Sequence, residues 1–285
     1  MPDQAERLRE LVKEWGRRQK QRLSRTIAIT SGKGGVGKTN FTVNLGLALK
    51  EQGWTVTVFD ADLGLANVDV VLGFTPSYTL AHVARREKTF AEVVCTAHDL
   101  QVVAGGSGIE ELAELPEGEL TRLVQEATHL ASDFFLIDTG AGIARPVINL
   151  ALAAQEVVVV TTPEPTALTD AYALIKVLHR RNPEVVLHLV VNRAQSLAEG
   201  EQVAANLRRV AAEFLDARLN YLGAIPEDGA VRAAVARQEP LLTFRPEAPA
   251  ARQLRRIAAN LSGETVSVAG DGVRGFLGRL RLFFR

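Results

Sequence analysis

The stretch TIAITSGKGGVGKT, residues 26–39, decides the fold. It opens with a short apolar run typical of a buried strand and closes on the pattern G-x-x-x-x-G-K-[ST] at residues 32–39. Glycines in such a loop let the backbone turn tightly and bring its N–H groups close to an anion. A helix that begins at the end of the loop adds its positive dipole end to the same site. The stretch therefore predicts a phosphate-binding loop in an α/β fold.

The residues of this loop have expected roles in holding a nucleotide. We expect Lys38 to contact the β- and γ-phosphates and the Thr39 hydroxyl to bind Mg²⁺. A glycine-rich turn that binds nothing is the alternative, which the strand–loop–helix context disfavours. The whole predicted phosphate site comprises Gly32, Lys33, Gly34, Gly35, Val36, Gly37, Lys38, Thr39 and Asn40. Lys33 is a second cation that the pattern itself does not require.

Short β-branched runs alternate with longer amphipathic stretches along the rest of the chain. We predict strands at 25–30, 55–60, 100–105, 133–138, 156–161, 185–192 and 219–225. We predict helices at 39–53, 119–130, 166–181 and 201–215. Nearly continuous apolar strands that alternate with helices predict a doubly wound, mostly parallel sheet with helices on both faces.

The two ends of the chain fall outside this alternation. We predict a helical N-terminal arm at 1–24, one α/β domain at 25–262, a flexible linker at 263–272 and an amphipathic helix at 273–285.

Composition excludes several classes of protein. The chain has 285 residues and a formal net charge of zero, so no global field favours a nucleic-acid partner. Its single cysteine, Cys95, excludes an intrachain disulfide framework and a cluster held by several thiolates. The sequence contains neither a bilayer-length apolar run nor an apolar signal core at its N-terminus, so a cytoplasmic location is expected.

Three carboxylates are expected beside the phosphates. Asp60 and Asp62 follow the second predicted strand, and Asp138 ends the apolar run FFLID. Ligands of doubly wound sheets bind at the carboxyl ends of the strands, and a carboxylate delivered there suits the Mg²⁺ shell. Helix capping is the alternative role for Asp60 and Asp62.

Three motifs together resemble the deviant Walker A P-loop ATPases of the MinD/ParA family: KGGVGKT at 33–39, DADLGLANVDVVLG at 60–73 and DTGAGI at 138–143. The resemblance covers roughly residues 26–262. It implies Mg²⁺-dependent ATP hydrolysis and an ATP-bound homodimer in which Lys33 reaches the partner's nucleotide. It also implies that Asp62 positions the attacking water and that Asp60 supports the metal held by Thr39 and Asp138.

The same resemblance assigns switches and a base pocket. It implies a first switch with Asp62 and Asn67, and a second switch formed by Gly140, Ala141 and Gly142. The division-site branch usually carries proline where this chain has Gly140, and this departure disfavours that branch.

The segments VVNRA at 190–194 and IPED at 225–228 match those that flank adenine in the family. They imply base contacts from Asn192, Arg193, Pro226 and Asp228; a turn role is the alternative for Asn192. The guanine-reading pattern N-K-x-D is absent here, which favours ATP over GTP.

The N-terminal segment DQAERLR, residues 3–9, is similar to a motif of the FlhG group, also called YlxH or FleN, the MinD-like ATPases of flagellar number and placement. The resemblance implies binding to the GTPase FlhF and stimulation of its hydrolysis, and it makes flagellar switch proteins of the C-ring possible partners. The implied partner-binding residues are Asp3, Gln4, Ala5, Leu8 and Arg9, with Gln4 inserted beside the GTP site. An ordinary solvated arm is the alternative.

The C-terminal residues place their apolar side chains on one helical face, with arginines largely elsewhere. The apolar residues are Val273, Phe276, Leu277, Leu280, Phe283 and Phe284. Such a helix is typical of attachment to the surface of an anionic membrane, here the inner face of the cell membrane, and a dimer with two helices gains by avidity. A terminal helix docked on the protein's own core is the alternative.

Three other functions remain open at this level. They are a division-site ATPase of the MinD type, a DNA partition ATPase of the ParA type, and a nucleotide-bound scaffold that does not hydrolyse ATP. Asp62 and Asp138 argue against an idle scaffold, and the zero net charge gives no support to a DNA-riding protein.

Overall fold

The computed structural model describes residues 24–62, 67–105, 132–263 and 272–283, with side chains described as far as residue 280. Its eight strands are β1 (Arg25–Ser31), β2 (Val56–Ala61), β3 (Val94–Ala97), β4 (Leu100–Ala104), β5 (Phe134–Ala141), β6 (Glu156–Thr161), β7 (Val186–Ala194) and β8 (Leu219–Pro226). The longer helices are α1 (Lys38–Glu51), α4 (Arg145–Ala153), α5 (Pro165–Arg181), α6 (Leu197–Leu215), α7 (Gly229–Ala236), α9 (Pro249–Gly263) and α10 (Gly272–Phe283). Shorter helices are α2 (Val68–Leu72), α3 (Leu80–Ala84) and α8 (Leu241–Phe244).

The eight strands form one sheet in the order β3-β4-β2-β5-β1-β6-β7-β8. All neighbouring pairs are parallel except β3 and β4, which are antiparallel. β1 lies between β5 and β6, so the chain leaves the centre of the sheet towards both edges. A crevice opens at such a point, at the carboxyl ends of the strands, and there the fold places ligands.

Alternate residues of the central strand explain why the sheet is covered on both sides. Ile27 and Ile29 of β1 pack in one apolar cluster with Phe41 of α1, and Ala28 packs in a second cluster with Ile137 on the opposite face. All five of these side chains are buried. Because both faces need apolar residues, the strands read as continuous apolar runs in the sequence.

The predicted doubly wound fold is confirmed, and all seven predicted strands are present. β3 was missed because it is a four-residue, half-exposed edge strand without a continuous apolar run. Of the predicted helices, those at 39–53, 166–181 and 201–215 correspond to α1, α5 and α6. The predicted helix at 119–130 lies outside the described residues. α4, α7 and α9 lie outside the predicted ranges. In α4, residues 148–153 are all buried, so this segment has no solvent-facing side that would show a helical period.

The C-terminal helix α10 packs against the sheet and α4. Four of its apolar side chains are buried: Val273, Phe276, Leu277 and Leu280. The ring of Phe276 lies 6.2 Å from that of Phe59 and 5.9 Å from that of Phe135, measured between centroids. Arg279 Nε donates to the carbonyl of Ala153 at the end of α4, at 2.8 Å.

This packing differs from the exposed membrane face that the sequence predicts. The apolar stripe is present, but the protein's own core covers it, as in the alternative of a docked terminal helix. A stripe of this kind suits lipid and protein equally, so the sequence pattern cannot choose between them. The side chain of Phe283, the residue Phe284 and most of the predicted linker lie outside the described residues. None of the described helices combines the length and hydropathy needed for a membrane span.

Candidate nucleotide-binding site

The phosphate loop joins β1 to α1 as the sequence predicts. Gly37 caps α1 with a left-handed backbone, φ 94°, a conformation that residues with side chains rarely adopt. Gly32 packs directly on α5, where an added Cβ would lie 2.2 Å from the carbonyl carbon of Asp170. Only glycine fits there, so the loop is positioned by close contact with α5 as well as by its own turns.

Two threonines of α1 form hydrogen bonds with the carboxylate of Asp138, the residue that ends the apolar run FFLID. Thr39 Oγ1 donates to Asp138 Oδ2 at 2.6 Å, and Thr42 Oγ1 donates to Asp138 Oδ1 at 3.0 Å. Asp138 is 1% exposed, and its burial raises the pKa to about 7, although Lys38 and the two hydroxyls oppose that shift. Thr42 was not predicted. Its position one helical turn after Lys38 was the available signal, because residues four apart share a helix face.

Asp60 lies on β2, directly opposite Asp138 on the neighbouring strand β5. Burial raises the pKa of Asp60 to about 6, against the effect of its backbone hydrogen bonds. Its carboxylate accepts N–H groups from Asp62 at 3.2 Å, Asn67 at 2.9 Å and Val68 at 3.1 Å. Asp60 therefore holds both ends of the first switch, and it caps the start of α2, the alternative role that the sequence left open.

The donor set at this point fits Mg²⁺. Two buried carboxylates and a hydroxyl supply hard oxygen ligands, and a cation would offset the charge of Asp60 that helps to raise the pKa of Asp138. Within the described ranges, no cluster of three or more His, Cys, Asp or Glu residues could hold a metal ion alone. Few protein ligands are what Mg²⁺ uses when nucleotide phosphates and water complete its shell.

The two predicted switches lie next to each other beside the loop. A Cβ on Gly140 would lie 3.4 Å from Asp62 Oδ1, so the Asp62 carboxylate faces the second switch. The Gly142 N–H donates to the carbonyl of Ser31 at 2.8 Å, and Ala141 pairs with Ser31 in the sheet. The second switch is thus hydrogen-bonded to the residue at which the phosphate loop begins.

Lys33 is exposed, and its own chain holds its ammonium group. Nζ lies 3.3 Å from Glu164 Oε2 and 3.1 Å from Thr166 Oγ1, at the start of α5. The sequence did not identify these two partners.

A cavity of about 450 Å³ opens beside the loop, large enough for a base and its sugar. The four residues expected at the base all line it: Asn192, Arg193, Pro226 and Asp228. Val231 and Val235 of α7 add an apolar wall that the sequence analysis missed. The signal was available, since two valines four residues apart share one face of a helix directly after IPED.

The side chains of Asp228 and Asn192 have hydrogen-bond partners within the protein. Asp228 Oδ1 accepts the Ala230 N–H at 2.8 Å and Oδ2 accepts the Ala250 N–H at 3.2 Å, so the carboxylate caps α7 and reaches α9. Asn192 Nδ2 donates to the Val36 carbonyl at 2.7 Å. Asp228 is therefore a structural residue of the cavity wall as well as a candidate base contact.

A glycine loop between a strand and a helix, with its threonine beside a buried aspartate, defines a P-loop NTPase. Residues 22–262 match the family model ParA, described as the NUBPL iron-transfer P-loop NTPase. The chain belongs to this ParA/MinD family of P-loop NTPases.

Individual relatives cover most of the chain. Antiactivator FleN from Pseudomonas aeruginosa is 41% identical over 235 residues, 81% of this chain and 84% of that protein. Flagellum site-determining protein YlxH from Helicobacter pylori is 36% identical over 262 residues, 89% of this chain and 88% of that protein. Among solved structures, septum site-determining protein MinD from Pyrococcus horikoshii, complexed with Mg-ADP, superposes with a TM-score of 0.69 at 26% identity, over 86% of this chain and all of that one.

Proposed function

We propose that this protein is a Mg²⁺-dependent ATPase that regulates the number or placement of flagella. One observation carries the proposal: the chain is similar over most of its length to FleN and YlxH. The Thr39–Asp138 contact, which is typical of a nucleotide site, supports it. The resemblance of segment 3–9 to the FlhG group supports the same assignment.

The chain's own residues account for the steps of hydrolysis. Backbone N–H groups of the loop and the Lys38 ammonium bind the phosphates and stabilise charge that develops on them. Thr39 and Asp138 would hold Mg²⁺, which neutralises phosphate charge when it is bound. Asp62 orients the attacking water. Its backbone is fixed through Asp60, and its carboxylate lies against Gly140, so a movement of either switch moves the water-binding group.

Dimerisation is the proposed switch. In the ATP-bound dimer, Lys33 leaves Glu164 and Thr166 and contacts the partner subunit's nucleotide phosphates. A cation supplied in this way stabilises transition-state charge in the same manner as an arginine finger. The exchange is feasible because the Lys33–Glu164 pair is exposed and screened by solvent.

Membrane attachment and a GTPase partner belong to the same proposal. α10 binds an anionic membrane surface after it leaves the sheet, since its apolar face is covered in the docked arrangement. Segment 3–9, which lies outside the described residues, binds an FlhF-type GTPase and stimulates it through Gln4. Flagellar switch proteins are a further class of partner.

Two experiments test the function. Purified wild-type protein should release phosphate from ATP in the presence of Mg²⁺, and Lys38→Ala should abolish that release. Deletion of the gene in the organism that encodes it should change the number or position of flagella, counted by electron microscopy, while cell division stays normal. Minicells with unchanged flagella would instead assign the protein to division-site selection. Normal flagella together with ATP-independent binding to flagellar proteins would favour the scaffold.

A further inference from the structure

Asn192 links the end of β7 to the phosphate loop. Its Nδ2 donates to the carbonyl of Val36 at 2.7 Å, and its Oδ1 accepts the N–H of Arg193 at 3.0 Å. A carbonyl can only accept, so the atom that faces Val36 must be the amide nitrogen. Both ends of the side chain therefore have partners within the protein, in an orientation that this chemistry fixes.

The position of the Val36 carbonyl sets the direction of the next N–H. In a trans peptide the carbonyl of one residue and the N–H of the following residue point in opposite directions. When Asn192 draws the Val36 carbonyl towards β7, the Gly37 N–H is turned to the other side of the peptide plane. Gly37 also leaves the room that the amide occupies, since a Cβ there would lie 2.5 Å from Asn192 Nδ2.

We propose that Asn192 is a positioning residue of the phosphate loop, which holds the Val36–Gly37 peptide so that its N–H faces the nucleotide phosphates. The inference rests on the proposed ATPase function and deepens it. It differs from the reading of Asn192 as a base contact, because its effect is on phosphate binding and does not depend on the base.

The loop needs such support because its glycines are conformationally free. Ser31 Oγ donates to the Lys33 carbonyl at 2.8 Å and fixes the first half of the loop. Asn192 fixes the second half from a strand that lies two places away from β1 in the sheet. Without that contact, the Val36–Gly37 peptide loses the side chain that holds its carbonyl, and ligand binding must offset the added conformational freedom.

A ligand without a base separates the two roles. Binding of Mg²⁺–ATP and of Mg²⁺–tripolyphosphate is measured by titration calorimetry for wild type, Asn192→Ala and Asn192→Ser. Loss of one positioning hydrogen bond should weaken both ligands by a similar factor, about tenfold. The control is Arg193→Ala, which alters the cavity wall next to Asn192. It should weaken ATP and leave tripolyphosphate within about twofold of wild type.

Each outcome has one meaning. If the Asn192 variants bind tripolyphosphate like wild type and lose affinity for ATP alone, Asn192 is a base contact and the proposal is overturned. An equal loss of tripolyphosphate affinity in Arg193→Ala would also overturn it, because the effect would then be a general disturbance of the cavity. Thermal melts identify a variant that does not fold, and Asn192→Ser then replaces Asn192→Ala. Failure of wild-type protein to bind ATP would count against the proposed function itself.

Discussion

Lys33 Nζ lies 3.3 Å from Glu164 Oε2 in the same chain, at the start of the helix that packs on the phosphate loop. The side chains of Lys33 and Glu164 are 43% and 60% exposed, so the pair contributes little to stability. A contact this weak can hold Lys33 against its own chain and still release it to a second subunit. In the proposed ATP-bound dimer, Glu164 would therefore compete with the partner's phosphates for the same ammonium group.

Replacement of Glu164 by Gln should favour the ATP-bound dimer. The measurement is sedimentation velocity in Mg²⁺–ATP, in an Asp62→Ala background that we expect to slow hydrolysis. We expect the dimer dissociation constant to fall by a few-fold, since an exposed pair is worth at most about 1 kcal/mol. Glu184→Gln, which removes the same charge from an exposed position beyond the far end of α5, is the matched control. A dimer unchanged by Glu164→Gln would show that this carboxylate does not restrain Lys33.

The Asp62→Ala protein should itself bind ATP and accumulate as a dimer, because the group proposed to orient water is lost while the phosphate loop is intact. Sedimentation in Mg²⁺–ATP and in Mg²⁺–ADP should show a dimer with ATP alone. Addition of Lys33→Ala should return the protein to monomer. A protein that is monomeric with both nucleotides would leave Lys33 as a surface lysine and would favour the scaffold function.

Contiguity in the sequence explains which parts of this site were predictable. Gly32, Lys38 and Thr39 belong to one short motif, and the buried strands are visible as continuous apolar runs. The partners of Lys33 and Asn192 could not be predicted in this way, because the Lys33–Glu164 and Asn192–Val36 contacts join residues 131 and 156 positions apart. Only the order of strands in the sheet brings such residues together, and a single sequence does not encode that order in any local pattern.

The buried carboxylates make the metal-free protein sensitive to pH. Folding raises the pKa of Asp138 to about 7 from an ordinary value of 3.8, so the folded state binds this proton more tightly than the unfolded state. The resulting stabilisation is fully present below about pH 4 and is lost as the pH rises through 7. Asp60, with a pKa of about 6, acts in the same direction.

In EDTA, the melting temperature should therefore fall by a few degrees between pH 5 and pH 8 through these groups. Asp138→Asn, which cannot ionise, should show a smaller decrease over the same range. Mg²⁺ should restore more stability at pH 8 than at pH 5, because it competes with protons for the carboxylates. Parallel pH profiles for wild type and Asp138→Asn would contradict the assignment of the effect to Asp138.

The docked position of α10 has a direct test in Phe276. This ring is fully buried against Phe59 and Phe135, so Phe276→Ala should lower the free energy of unfolding by about 3–5 kcal/mol. Arg274→Ala changes an exposed residue of the same helix and should alter stability by less than about 0.5 kcal/mol. Denaturant titration measures both, and equal stability of Phe276→Ala and wild type would mean that α10 is not docked in solution.

The proposed binding of α10 to membranes is tested by removal of the helix. A protein that ends at residue 271 should fail to bind vesicles with anionic lipid, because it lacks the apolar face of α10. Full-length protein should bind them more strongly in Mg²⁺–ATP than in Mg²⁺–ADP, since a dimer carries two helices. Co-sedimentation with vesicles measures both, and equal binding by the shortened protein would place the membrane contact elsewhere.

Two glycines of the phosphate loop should respond differently to the same substitution. A Cβ on Gly32 would lie 2.2 Å from the backbone of Asp170, whereas a Cβ on Gly34 would meet nothing within 4 Å. Gly32→Ala must therefore push the loop away from α5, and we expect it to lower the melting temperature by several degrees and to weaken ATP binding at least tenfold. Gly34→Ala should change the melting temperature by less than about 1 °C. Differential scanning fluorimetry compares the two. Similar melting temperatures of Gly32→Ala and Gly34→Ala would show that the loop does not pack closely on α5. The glycines would then be needed only for the backbone conformation of the turn.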